Sequence, residues 1–516
     1  MKVIETKINR FDGGISDDPL EVAPNKFQIA KHFIIGLKKL FPYRSVETET
    51  NSNQIGNFCY TSQNQLWGLG KVGGGNNYPK ILYKSGSSLI TDAWQTRRDG
   101  TQGATYYELF IEFNGKVYLI ASNKLVSVLA ASPYTIDEFV SGVTVSNPPS
   151  AQGLVHPKMN KLFIPCGNYI DTVNSAGTLT ANQAPSISAN LSIVSMVEYG
   201  NYIAIGCKDI TGGNSKLLIW DGVSTTTFID NIDLGKEELG VLNNLEGYII
   251  AISRTPSTIF IGDVAKITIQ FWNGGKPSLI KEIEVRKTGS SSCYITLYPR
   301  VNFINYNKLW FAAKFVIGTT IEHIGFWSVG RKNANYPFVV NFERFATTAN
   351  NETAIWAAIM RGDYMWSVCN TDGGDESTAG ITRTDDKMNF LATSVYISQK
   401  FNGEIHGFDG SWKKNLKGVS VQHGKLPSGA WVKMYYRVDG ATSWTSIFKN
   451  ETDNTLSYEA VLADTDLDGT SDTNLQRHYR EIEFKIEYYG SNVSSGDYSF
   501  NGFSFKEDIV GRDKYT

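Results

Sequence analysis

Histidine and cysteine are scarce in this 516-residue chain, at six and five respectively. The histidines His32, His156, His323, His406, His423 and His478 are scattered, with no local metal pair among them. The cysteines Cys59, Cys166, Cys207, Cys293 and Cys369 are widely spaced and form no C-x-x-C pair. Neither a zinc site nor a disulfide framework is signalled, and all five thiols are expected to be reduced, as suits a cytosol. No run approaches the ~18 apolar residues that a membrane-spanning helix needs. The opening Met1-Lys2-Val3-Ile4-Glu5-Thr6-Lys7 has no apolar stretch of the kind that marks a secretory leader, so synthesis in the cytoplasm without export is expected.

Catalytic signatures are missing too. There is no H-E-x-x-H, no G-x-S-x-G, no phosphate-binding G-x-x-x-x-G-K-[ST] and no S-x-D-x-G-x-x-W box. Gly73-Gly74-Gly75 runs on into Asn76-Asn77-Tyr78-Pro79, which reads as a loop rather than a phosphate cradle. Paired carboxylates can still converge from distant strands, but the expectation is a protein that is no enzyme and carries no certain cofactor. Charge of one sign is also lacking: 49 basic residues stand against 51 acidic ones, a net −2. That balance argues against specific nucleic-acid binding, which needs a basic surface. Helical periodicity is weak throughout, and residues 25–33, following Pro24, are the best helical candidate.

Aromatics and glycine are plentiful: 26 Tyr, 27 Phe, 11 Trp and 48 Gly. This mixture favours short strands joined by tight turns. One pattern recurs: apolar residues, a polar turn, then an aromatic-rich apolar strand. It appears at Asn64-Gln65-Leu66-Trp67, at Asn114-Gly115-Lys116-Val117 and at Asn160-Lys161-Leu162-Phe163. It returns at Gly200-Asn201-Tyr202, Glu246-Gly247-Tyr248, Asn307-Lys308-Leu309 and Gly362-Asp363-Tyr364. Anchored on Leu66, Val117, Leu162, Tyr202, Tyr248, Leu309 and Tyr364, the spacings are 51, 45, 40, 46, 61 and 55 residues. Four-stranded propeller blades repeat every ~40–50 residues. The spacing therefore predicts a β-propeller of about seven blades, eight if the N-terminal region adds one. The competing reading is an array of unrelated sandwiches.

Near residue 390 the pattern changes to alternating strands, expected at 394–400, 417–422, 431–438, 444–448, 456–462, 479–489 and 498–506. Arg480-Glu481-Ile482-Glu483-Phe484-Lys485-Ile486-Glu487-Tyr488 alternates with period two, so one face meets a core. The expected organisation is an all-β chain in three parts: a leader or arm over 1–50, a propeller over 51–388 and an antiparallel β-sandwich over 389–516. The arm either docks on a neighbouring molecule or lies on its own propeller, closing the first and last blades.

One constellation resembles a metal site. In Asp464-Thr465-Asp466-Leu467-Asp468-Gly469-Thr470-Ser471-Asp472, oxygen donors fall at positions 1, 3, 5 and 9 with glycine at 6, the order of a calcium loop. Position 12 is Leu475 instead of the closing glutamate, so Asp464, Asp466, Asp468 and Asp472 make a weak Ca2+ set or a plain acidic turn.

Two stretches resemble structural proteins of the tail or neck of tailed bacteriophages. Phe11-Asp12-Gly13-Gly14-Ile15-Ser16-Asp17-Asp18-Pro19, then Pro24-Asn25 and Phe41-Pro42-Tyr43-Arg44, looks like their opening segment, with proline and arginine in the reverse of the usual order. Lys414-Asn415-Leu416-Lys417, Tyr435-Tyr436-Arg437-Val438-Asp439-Gly440, Trp444-Thr445 and Arg480 resemble their terminal sandwich. The resemblance implies a virion protein of the nozzle or hub type, assembled as a homo-oligomer with portal, adaptor or tail partners. The alternative function is a propeller that binds or hydrolyses host surface glycans, suggested by the tryptophans and tyrosines.

Overall fold

The computed structural model describes residues 3–8, 27–31, 33–35, 40–42, 46–48, 54–71, 79–84, 95–99, 105–121, 124–130, 136–137, 144–147, 149–256, 264–286, 292–331, 334–335, 337–344, 353–361, 364–370, 380–384, 393–403, 406, 412–426, 429–451, 457–461, 479–490 and 499–512. Among them there is no α-helix, and so none long and apolar enough to cross a membrane. The chain divides into two compact units. One is Met1–Val46 with Trp327–Thr348 and Asp385–Thr516; the other is Glu47–Phe326 with Ala349–Thr384.

The propeller has seven four-stranded antiparallel sheets. The first blade is Gln54–Tyr60, Leu66–Lys71, Pro79–Lys84 and Gln95–Asp99. The first strands of the following blades are Thr105–Phe113, Leu154–His156, Leu191–Tyr199, Glu238–Leu245, Cys293–Asn305 and Ala354–Arg361. Each blade begins with one of the expected hairpins. Asn114 and Gly115 have φ of 49° and 72°, and Glu246 and Gly247 have 54° and 84°, the left-handed pair of a type I′ turn. Six blades are continuous in sequence. The seventh takes its fourth strand from Val46–Thr48, so a segment from the start of the chain closes the ring. Among the described residues no eighth blade is formed.

The second strand of each blade is almost uniformly apolar because both of its faces are covered. Lys116–Ala121 and Lys161–Cys166 bury every residue but the first. The apolar clusters accordingly lie between blades rather than within them. Phe163, Ile203, Ile205 and Trp220 join the third blade to the fourth. Ile55, Phe58, Leu66, Trp366 and Val368 join the first to the seventh. Trp220 is fully buried, meets Phe163 edge-on at 5.6 Å and donates its indole N–H to Ser224 O at 2.7 Å.

The other unit holds two sheets around one core, which includes Val419, Met434, Phe484, Ile486, Phe503 and Phe505. Its C-terminal strands match the alternating segments: Thr393–Ser398, Trp412–His423, Trp431–Val438, Thr445–Asn450, Ser457–Val461, Ile482–Tyr489 and Phe500–Arg512. Asp439 and Gly440 make the expected left-handed turn at φ 46° and 74°. Described strands within residues 1–50 pair with other parts of the chain. Val3–Ile8 pairs with Phe500–Arg512, with Thr6 opposite Phe505, and Phe27–Lys31 pairs with Thr393–Ser398, with Ala30 opposite Tyr396. Where a helix is expected over 25–33, the described residues form the strand Phe27–Lys31 and the start of Phe33–Ile35. An open sheet edge supplies backbone partners that outweigh a weak helical preference.

Removing residues 1–48 takes away the closing strand of the seventh blade together with strands of both sandwich sheets. Loss of cooperative thermal unfolding, followed by circular dichroism, is the expected result. Trp220→Ala, which empties a site between blades, should cost about 3–5 kcal/mol in a urea titration.

Candidate functional site

The first strand of a propeller blade has a neighbour on one side only, so its inner edge carries main-chain groups that need partners. Here six of the seven first strands are also bulged. Single extra residues occur at Gly56, Val194, Gly240 and Trp356. Three-residue bulges span 107–109 in the second blade and 299–301 in the sixth. A bulge re-aims its extra residue and interrupts the ladder. Five of these residues, Glu108, Val194, Pro299, Arg300 and Trp356, line a cavity of about 610 Å³ that every blade helps to form.

Side chains from other blades take up the freed main-chain groups. Gln152 of the third blade accepts from Phe110 N (3.1 Å) and donates to Phe110 O (2.7 Å), bracketing the bulge of the second blade. Ser195 of the fourth blade and Asn302 of the sixth both donate to Leu242 O of the fifth, each at 3.0 Å. Asn243 donates to Asn302 Oδ1 at 2.9 Å. Lys314 of the sixth blade donates to Thr353 O, just ahead of the seventh, at 2.9 Å.

Arg300 makes the longest reach. From the sixth blade it passes the seventh to donate to Gly56 O of the first at 3.4 Å, and its Nη2 pairs with Glu108 of the second at 2.9 Å. The two side chains are 17% and 30% exposed, so this ion pair is only partly screened. Lys314 is half-buried as well, and burial pulls its amine below the ordinary lysine range.

None of these residues stood out in the sequence. The available signal was local: Glu108 and Pro299-Arg300 interrupt otherwise apolar strand patterns, which is how bulges announce themselves. The calcium-loop residues Asp464, Asp466, Asp468 and Asp472, and the glycine run Gly73-Gly74-Gly75, lie outside the described residues. Among the described residues no group of three or more His, Cys, Asp or Glu could hold a metal ion.

Two of the described histidines hold the sandwich unit's loops and strands by hydrogen bonds. His423 bonds Gly424 O through Nδ1 (2.7 Å) and Asn450 through Nε2 (3.2 Å), and His406 bonds Thr6 at 2.8 Å. All five cysteines are buried, and burial pushes the Cys166 and Cys207 thiols up to about 12, which leaves those two unreactive.

No family model matches the chain, and no curated protein matches it. Solved structures similar to it include the WD40 domain of Toxoplasma gondii coronin, at 10% identity and TM-score 0.37, covering 71% of this chain and 90% of that one. The Cps50 (Swd1) β-propeller domain of Myceliophteria thermophila is similar at 9% identity and TM-score 0.38, covering 66% and 98%. An exo-β-1,3-galactanase from Phanerochaete chrysosporium is similar at 9% identity and TM-score 0.24, covering 90% and 96%. At such values no residue role passes from these proteins to this chain.

Two outcomes test the axial network. Arg300→Met leaves Gly56 O and the Glu108 carboxylate without this partner. It should lower stability by about 1–3 kcal/mol, with less than the additive loss in the Glu108→Gln, Arg300→Met double variant. Lys314→Met should act in the opposite sense. A lysine whose folded pKa lies below its unfolded value binds fewer protons when folded, so stability rises with pH between the two pKa values, the upper one near the ordinary ~10.4. Below that window the charged amine bears its full burial cost. Replacement by methionine should leave stability at pH 7 unchanged or higher and flatten the alkaline rise, as read from melting temperatures between pH 7 and 10.

Proposed function

We propose that this chain is a structural component of the tail or neck of a tailed bacteriophage, present in several copies and joined to portal, adaptor or other tail proteins. The observation that carries the reading is the treatment of the two ends of the chain. Val3–Ile8 is locked in six-residue register against Phe500–Arg512, and Val46–Thr48 completes the last blade. Segments that complete sheets so far away in sequence cannot detach without breaking those sheets, which suits a part that stays in place under load. The stretches that resemble phage tail proteins support the same reading. The C-terminal ones form strands and turns of the sandwich: Lys414 and Leu416 in Trp412–His423, Tyr435 to Val438 in Trp431–Val438, and Asp439-Gly440 in the following turn.

In this role the propeller is a rigid block, its blades fastened by apolar clusters and by the axial hydrogen bonds. Assembly contacts then belong to the outer surfaces of the two units, and no chemistry is required of the chain.

Mass spectrometry and electron microscopy of purified virions test this. The expected result is the chain at fixed stoichiometry in a symmetric ring at the tail or neck. A peripheral fibre position with measurable glycan turnover, or absence from virions, would overturn it.

A further inference from the structure

The cavity on the propeller axis holds more hydrogen-bonding capacity than the inter-blade network uses. Gln152, Asn243 and Asn302 each commit one amide N–H to that network and keep a second. Lys314 commits one of its three N–H groups, to Thr353 O. Glu108 commits Oε1 to Arg300 and keeps Oε2. With the Glu108–Arg300 pair neutral, Lys314 leaves the lining with one net positive charge. Solvent reaches this lining, since Gln152 is exposed and Glu108 and Arg300 are partly so.

Between the polar groups stand apolar faces, among them Trp356, Met196, Leu297 and Phe303. A half-buried lysine such as Lys314, with a single acceptor, bears part of the cost of desolvation unless something else makes use of its charge. Amides and an aromatic ring lining one cavity suit a ligand with hydroxyls on its rim and C–H groups on its face. The single surplus cation adds a requirement for one carboxylate. About 610 Å³ is within the ordinary range of small-ligand sites, ~300–1,000 Å³.

We infer that the axial cavity is a binding site for an acidic sugar of the hexuronate class, whose carboxylate meets Lys314 while the sugar ring lies among Trp356 and the amides of Gln152, Asn243 and Asn302. Binding here is independent of the structural role proposed above: the site lies within the propeller and needs no partner chain.

The test is titration of the full chain with D-glucuronate, D-glucose, acetate and sulfate, each followed by calorimetry and by saturation transfer from protein to ligand. Glucuronate should bind with a Kd of about 1 mM or tighter, and glucose about tenfold more weakly or worse. Acetate and sulfate, lacking the ring, should also be about tenfold weaker. Lys314→Met should erase the preference for glucuronate over glucose, whereas Lys314→Arg, which keeps the cation, should retain it. Trp356→Leu should weaken both sugars together. Unchanged melting temperatures would establish that the variants are folded. Absence of glucuronate binding at about 10 mM, equal binding of acetate or sulfate, or a preference that survives Lys314→Met would each overturn the inference.

Discussion

The propeller depends on how its innermost strands satisfy their free edges. A sheet whose first strand faces an axis has no further strand to pair with, and bulges in six of seven first strands free still more N–H and C=O groups. Side chains reaching in from other blades provide the partners, with Gln152 at Phe110, Ser195 and Asn302 at Leu242, Lys314 at Thr353 and Arg300 at Gly56. Each of these bonds connects one blade with another or with the segment leading into it. The cost of unpaired buried main chain, about 1–3 kcal/mol per group, is thereby turned into a force that holds neighbours together.

A second ring of contacts operates at the hairpins. Ser62 Oγ donates to Glu112 at 2.6 Å, Asn114 to Ser175 O at 3.3 Å, Lys158 to Asn201 at 2.8 Å, and Asn307 to Glu246. These are exposed bonds and individually weak. Their value is in register: each fixes a hairpin tip relative to the next, while the apolar clusters beneath supply most of the adhesion. The same geometry explains why the second strands tolerate almost no polar residue, since a neighbouring blade covers each face.

The sandwich has a different logic, with one buried face per sheet and alternation along each strand. Its interior still contains charge. Lys414 is fully buried and donates to Asn402 O, and Tyr479 donates to Glu507 Oε1 at 2.8 Å. Burial lowers the Lys414 amine and raises the Glu507 carboxyl, each shift opposed by the charge of the other. Removing either alone would take away part of its partner's compensation, whereas exchanging both for apolar residues need not destabilise the fold.

The hairpins and the period-two strands after residue 390 were legible because they are local: a turn needs particular φ angles, and a half-buried strand needs alternation. Blade count followed from the same signal, since one hairpin opens each blade. Closure of the last blade by the early segment is one of two readings the sequence leaves open, and Val46–Thr48 does close it. The pairing of Val3–Ile8 and Phe27–Lys31 with sandwich edges was not legible, because short strands acquire their partners from the edges they join, and those edges lie hundreds of residues away. The axial site was hidden for a related reason. Glu108, Gln152, Arg300 and Lys314 are unremarkable in their own segments, and only closure of seven blades on one axis brings them together. The sequence by itself determined which segments become strands and where they turn; the tertiary structure decided what those strands enclose, because pairing across an axis depends on ring closure and not on spacing along the chain.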